Sequence, residues 1–91
     1  MNWGLQERPA IRPPARMKFD ALRKQELLLL PERIVQLNET AGAILRLCDG
    51  QRTVGELTRE LEAKYGQTGL QDDIAEFLTQ AAEEGWVERC P

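Results

Sequence analysis

Residues 25–38 read QELLLLPERIVQLN, and how this stretch is read decides the fold. Four consecutive leucines, Leu27 to Leu30, favour helix by propensity. Pro31 argues the other way. It biases Leu30 towards extended backbone. It would also cut a helix starting near Gln25 to less than two turns of about 3.6 residues each. QELLLL is therefore read as a strand with apolar side chains on both faces, which suits the middle of a small sheet. Pro31-Glu32 then turns the chain into RIVQL, Arg33 to Leu37. Here Arg33, Val35 and Leu37 share one face, Ile34 and Gln36 take the other, and two β-branched residues support a strand.

Working outward, RMKFD (Arg16 to Asp20) alternates, with Met17 and Phe19 on one face and Arg16, Lys18 and Asp20 on the other. ALRK makes the turn between it and the leucine strand. Short connections make the three strands antiparallel neighbours in chain order. The strand Arg33–Leu37 is then an edge unless something covers it. Residues 1–15 hold Pro9, Pro13 and Pro14 and show no apolar period. They read as an extended or mobile arm ahead of a domain spanning 16–91, with Trp3 and Ile11 as the side chains that would dock it.

Downstream the pattern is helical. Asn38 is a preferred N-cap with Glu39 behind it, and Ala41, Ile44, Leu45 and Cys48 fall on one face. Gly42 costs helix propensity and implies close packing. Thr53 and Glu56 form a capping box ahead of an inner face of Val54, Leu57, Leu61 and Tyr65, and Gly66 stops that helix. Asp72 and Asp73 favour the start of a third helix, whose stripe is Leu70, Ile74, Phe77, Leu78 and Ala81. Gly85 ends it, and WVER follows as a short strand or an extended tail. The fold class predicted is α+β: a three-stranded antiparallel sheet followed by three helices, winged-helix-like with the sheet moved to the front.

Composition narrows the function. The chain has 91 residues, 42% hydrophobic and 30% charged, the make-up of one ordinary globular domain. No apolar run approaches the roughly 18 residues that span a bilayer. The first fifteen residues carry charges and prolines where a signal peptide needs an apolar stretch. The expectation is a cytoplasmic protein without membrane contact. There is no histidine and there are two cysteines, so the commonest general base and the usual metal-ligand spacings are missing. Cys48 reads as a buried core thiol. An enzyme, a metal and a cofactor are not expected.

Residues 1–33 carry seven Lys/Arg against four Asp/Glu, and residues 34–91 five against eleven. A winged-helix outline invites DNA binding, but residues 71–84 hold five acids and no Lys or Arg. Phosphate contacts need cations, so no nucleic-acid partner is expected. An open edge at Arg33–Leu37 accepts a peptide as an extra strand, with Ile74, Phe77 and Leu78 as an apolar wall. It also accepts a second copy of the chain, or it is merely the edge of a structural domain whose helix residues belong to the core.

The residues also carry a resemblance. LLLLPERIVQLNETAGAILRLCDGQRTVGEL, from Leu27 to Leu57, resembles the signature of the PqqD family of pyrroloquinoline quinone biosynthesis. DDIAEFL from Asp72, EGWVE from Glu84 and RPAIRPPARMKFD from Arg8 are similar to the family as well. The resemblance implies a peptide chaperone that binds the precursor peptide PqqA and presents it to PqqE, a radical S-adenosylmethionine enzyme. It implies peptide paired to the third strand beside the last helix. On this chain those positions are Arg33, Ile34, Val35, Gln36 and Leu37, with Ile74, Phe77, Leu78 and Ala81 as the helical wall. It is compatible with a monomer or a homodimer. A recognition domain for another modified-peptide pathway, or a homodimeric structural adaptor, are the alternatives.

Overall fold

The structure is a computed structural model and describes residues 3–91. In chain order its elements are β1 (Arg8–Ile11), β2 (Arg16–Asp20), β3 (Gln25–Leu29), β4 (Ile34–Gln36), α1 (Glu39–Arg46), α2 (Val54–Tyr65), α3 (Gln71–Glu83) and β5 (Val87–Cys90). The fold is α+β. Strands β2, β3 and β4 form an antiparallel sheet in that order, as the short connections require. The leucine strand lies at its centre. Leu28 is fully buried between Met17 and Val35 on the core face, while Leu27 and Leu29 point to the opposite face. The turn from β2 to β3 is held by Asp20, whose Oδ1 accepts the N–H groups of Leu22 at 3.1 Å and Arg23 at 3.3 Å. Lys24 closes the turn in the left-handed region, with φ of 53°.

The starts of α1 and α2 and the end of α3 follow the residues expected of them, whereas α1 ends at Leu47, short of Gly50, and Leu70 starts α3 without a side-chain cap. Asn38 Oδ1 accepts the Ala41 N–H at 2.7 Å. Thr53 and Glu56 satisfy each other's backbone donors. Gly85, at φ of 81°, ends α3: its N–H reaches Ala82 O and the Trp86 N–H reaches Ala81 O, a Schellman turn that sends Trp86 back over the helix. Gly42 is buried where α1 crosses β3. A Cβ there would stand 2.8 Å from Glu26 Cβ and Cγ, so only glycine permits this approach. Arg46, one turn on, grips the same Glu26 with two bonds of 2.7 and 2.8 Å.

One core serves all the elements. Ile44, Leu45, Cys48, Val54, Leu57, Leu61, Ile74, Leu78, Ala81 and Val87 meet Leu28 and Leu37 within it. Cys48, just past the end of α1, is buried in the core as expected, and burial pushes the pKa of its thiol up to about 12.

The N-terminal segment is part of this core. Of residues 1–15, Met1 and Asn2 lie outside the described residues. From Trp3 onward the segment packs into the domain that was expected to start at 16. β1 pairs antiparallel with β5, Arg8 opposite Cys90 and Ile11 opposite Val87, as a second, two-stranded sheet. Leu5 O and Glu7 O accept the N–H groups of Gly55 and Val54, which are orphan donors of the first turn of α2. Trp3 is 5% exposed and lies under the Arg89 guanidinium, 4.1 Å from the ring centroid. The physical reason is that α2 and β5 each leave backbone groups to be satisfied, and this segment satisfies both.

Candidate functional site

Strand β4 is the terminal strand of its sheet, and its hydrogen-bonding parity follows from the register. Leu37 N–H donates to Glu26 O at 3.1 Å, and Leu30 N–H to Arg33 O at 2.9 Å. Leu28 stands opposite Val35 midway between these pairs. Arg33, Val35 and Leu37 therefore turn their peptide groups to β3, and Ile34 and Gln36 turn theirs outward. Two N–H and two C=O groups face away from the sheet, with no partner among the described residues.

Beside this edge runs a cleft of about 540 Å³ lined by Arg33 and Val35 on one side and by Phe77, Gln80, Ala81, Glu83, Glu84 and Trp86 on the other. Phe77 also lines a second hollow of about 400 Å³, with Ala41, Ile44, Leu61, Tyr65, Leu70 and Ile74. This hollow opens where α1, α2 and α3 converge past the end of β4. The two hollows share Phe77, which lies between the mixed polar and apolar cleft beside β4 and the more apolar hollow among the helices.

The residues singled out from the sequence divide on burial. Arg33, Ile34 and Gln36 are exposed, Val35 is half-buried and Leu37 is buried in the core. On α3, Ile74, Leu78 and Ala81 are core residues. Ala81 and Ile74 still form the floors of the two hollows, Leu78 lines neither, and Phe77 alone of the four is half-buried. Pattern reading missed Trp86, Tyr65 and Glu84. The signal for Trp86 was present, because the residue after a Gly stop packs back on the last turn.

Polar details mark the same region. The indole N–H of Trp86 and the hydroxyl of Tyr65 are buried and have no hydrogen-bond partner among the described residues. A buried donor left unpaired costs about 1–3 kcal/mol, and both belong to side chains that line the hollows. Arg33 Nη2 lies 3.4 Å from Glu84 Oε1, across one end of the cleft. Asp72, Asp73, Glu76 and Glu83 leave the outer face of α3 acidic. The arrangement leaves backbone donors and acceptors open along β4 and a half-buried phenylalanine beside them on α3.

Residues 25–87 match the family described as coenzyme PQQ synthesis protein D (PqqD). A protein of Methylococcus capsulatus named PqqA binding protein is 40% identical over 75 residues, covering 82% of this chain and 81% of that protein. A protein of the same name from Pseudomonas entomophila is 38% identical over 88 residues, covering 96% of this chain and 97% of its own length. Among solved structures, the PqqD part of Methylobacterium extorquens PqqCD superposes with a TM-score of 0.74 at 32% identity, over 89% of this chain and 88% of that one. That structure, determined by solution NMR, is described as a functional, stand-alone recognition element for ribosomally synthesised and post-translationally modified peptides.

Proposed function

The chain belongs to the PqqD family, and from that premise we propose that it is a peptide chaperone of pyrroloquinoline quinone biosynthesis. It binds the precursor peptide PqqA as an added strand on β4 and presents it to the radical S-adenosylmethionine enzyme PqqE. It performs no chemistry itself, and it works in the cytoplasm. The peptide-docking residues are Arg33, Ile34, Val35 and Gln36 on the strand side and Phe77 on α3, with Ile74 and Ala81 flooring the hollows and Leu37 and Leu78 holding the two walls from the core behind them.

The observation that carries this reading is the outward parity of Ile34 and Gln36 beside the Phe77 cleft. Four backbone bonds at a net ~0.5–1.5 kcal/mol each give only a few kcal/mol. Ordering a flexible peptide costs roughly 2–5 kcal/mol. Micromolar binding needs about −8 kcal/mol, so strand pairing alone is too weak. Apolar side chains of the peptide, seated against Phe77 and Val35, supply the remainder.

Titration calorimetry with synthetic PqqA tests the proposal. The expected result is saturable binding with a negative heat-capacity change, lost in Gln36→Pro. That proline deletes an outward N–H and no bond of the sheet, and an edge strand tolerates it. A folded Gln36→Pro variant that binds as the parent does rules out strand addition on β4. Wild-type protein that is inert towards PqqA, both alone and with PqqE added, would assign this chain to a different precursor.

A further inference from the structure

The sheet has a second face, and the register gives its composition. Arg16, Leu29 and Ile34 stand opposite one another in one row, and Lys18, Leu27 and Gln36 in the next. Residues directly opposite share a face, and this is the face turned away from Met17, Leu28 and Val35. Leu27 and Leu29 are absent from the core cluster and from the side chains packed on it, and Ile34 is 63% exposed. An apolar stripe therefore runs across the outside of β3 and β4.

Two cations border it. Arg16 and Lys18 are exposed, and neither has an ion-pair partner among the described residues. Arg23, Arg33, Arg46, Arg52 and Arg89 pair with acids of the chain, while Arg8, Arg12, Lys24, Arg59 and Lys64 form no salt bridge among the described residues either; Arg16 and Lys18 are the two cations that the strand register places beside Leu29 and Leu27. The one acid of this face, Asp20, is held by its own turn and by Arg23. On a chain of net charge −3, this is a local basic and apolar surface without an internal counter-charge.

We propose that the outer face of the β2–β3–β4 sheet is a second docking surface, and that its occupant is an apolar protein surface with an acidic margin, that of the peptide-modifying enzyme. The inference rests on the function proposed above and adds to it the surface the enzyme uses. Two arguments favour this occupant. A second copy meeting face to face would bring four uncompensated cations into one interface, which complementarity opposes. A second copy offering its acidic α3 instead makes a heterologous contact, which need not close into a defined dimer. The other argument is continuity. A strand added beside Ile34 and Gln36 sends alternate side chains onto this same face. A protein docked there touches the peptide residues that point away from the cleft, so peptide and chaperone form one composite surface.

The test uses the full chain, synthetic PqqA and purified PqqE. Two variants are compared with the parent: the double reversal Arg16→Glu with Lys18→Glu, and Leu27→Thr, which removes the apolar side chain and puts a strand-favouring β-branched residue in its place. Thermal unfolding establishes that each is folded. The expected result is PqqA affinity unchanged within about two-fold, with PqqE affinity reduced about ten-fold or more in the reversal variant and falling less steeply with added salt. Unchanged PqqE binding in both folded variants overturns the surface while leaving the proposed function standing. Equal loss of peptide and enzyme overturns it as a separate surface. Parent protein that binds PqqA but not PqqE, or that meets anionic vesicles or itself through Arg16 and Lys18, overturns the enzyme as occupant. Parent protein that binds neither PqqA nor PqqE removes the function proposed above and this inference with it.

Discussion

Arg33 and Glu84 tie the residue just before β4 to the residue that caps α3, with Nη2 and Oε1 3.4 Å apart. The two walls of the cleft beside β4 thus meet at one end through an ion pair. Both side chains are more than half exposed, and exposed pairs contribute about 0–1 kcal/mol. Its role is therefore to set where the cleft ends, not to hold the fold. Arg33→Ala is expected to leave the unfolding midpoint nearly unchanged and to alter the salt dependence of PqqA binding. A large loss of thermal stability in that variant would show that the pair does hold the walls together.

Phe77 is the junction of the two hollows. Removing its ring takes away the largest apolar contact that α3 offers to a strand on β4. Fully burying such a side chain is worth about 1.5–3 kcal/mol, so Phe77→Ala is expected to weaken PqqA binding by roughly ten- to a hundred-fold. Calorimetry on the folded variant measures this directly. Unaltered binding would place the ring among core residues only.

Trp3 is expected to matter as much as any core leucine. It is almost fully buried, with Arg89 over its ring and Glu7 paired to Arg89. Truncating a buried Trp costs about 3–5 kcal/mol, a large share of the 5–15 kcal/mol typical of a domain. Trp3→Ala is expected to lower the melting temperature by roughly 10 °C or more. A change of a degree or two would mean that the segment docks without supporting the core.

Asp49 gives the pH dependence a sign. Its carboxylate accepts the N–H groups of Arg52 and Gln51, in that order of influence, and lies beside the Arg52 guanidinium. These hold its pKa below the usual carboxylate value of about 3.9. The stabilisation is therefore complete above that value and fades as pH falls through the lower, folded-state pKa. Asp49→Asn is expected to melt lower than the parent at neutral pH, and the difference should shrink in acid. A gap that stays constant on acidification would contradict the assignment.

Much of this architecture was legible because local signals agreed. Pro31 stopped the leucines from being helix, Asn38 and Thr53 announced two helices, and Gly66 and Gly85 ended two. The alternation in RIVQL gave the correct inner and outer residues of β4. Other features were not local. In β1 the prolines obscure any alternation, and its partner β5 lies some eighty residues away, so neither strand predicts the other. Phe19 sits in phase with Met17 yet is half exposed, because the alternation of an edge strand does not say where the core ends. The α3 stripe was read as one surface. A helix face about 100° wide served both purposes here, with Ile74, Leu78 and Ala81 turned to the core and Phe77 to the cleft.

The central claim is that a peptide pairs with the outer edge of β4, and residue-resolved amide hydrogen exchange with and without PqqA tests it most directly. The account predicts an alternating response. The Ile34 and Gln36 amides, which face outward, gain protection when the peptide binds. The Val35 amide, already turned to Leu28, changes little. Protection appearing instead at Met17 and Phe19, whose amides face the opposite open edge of the sheet, or no change at Ile34 and Gln36 under saturating peptide, would contradict it.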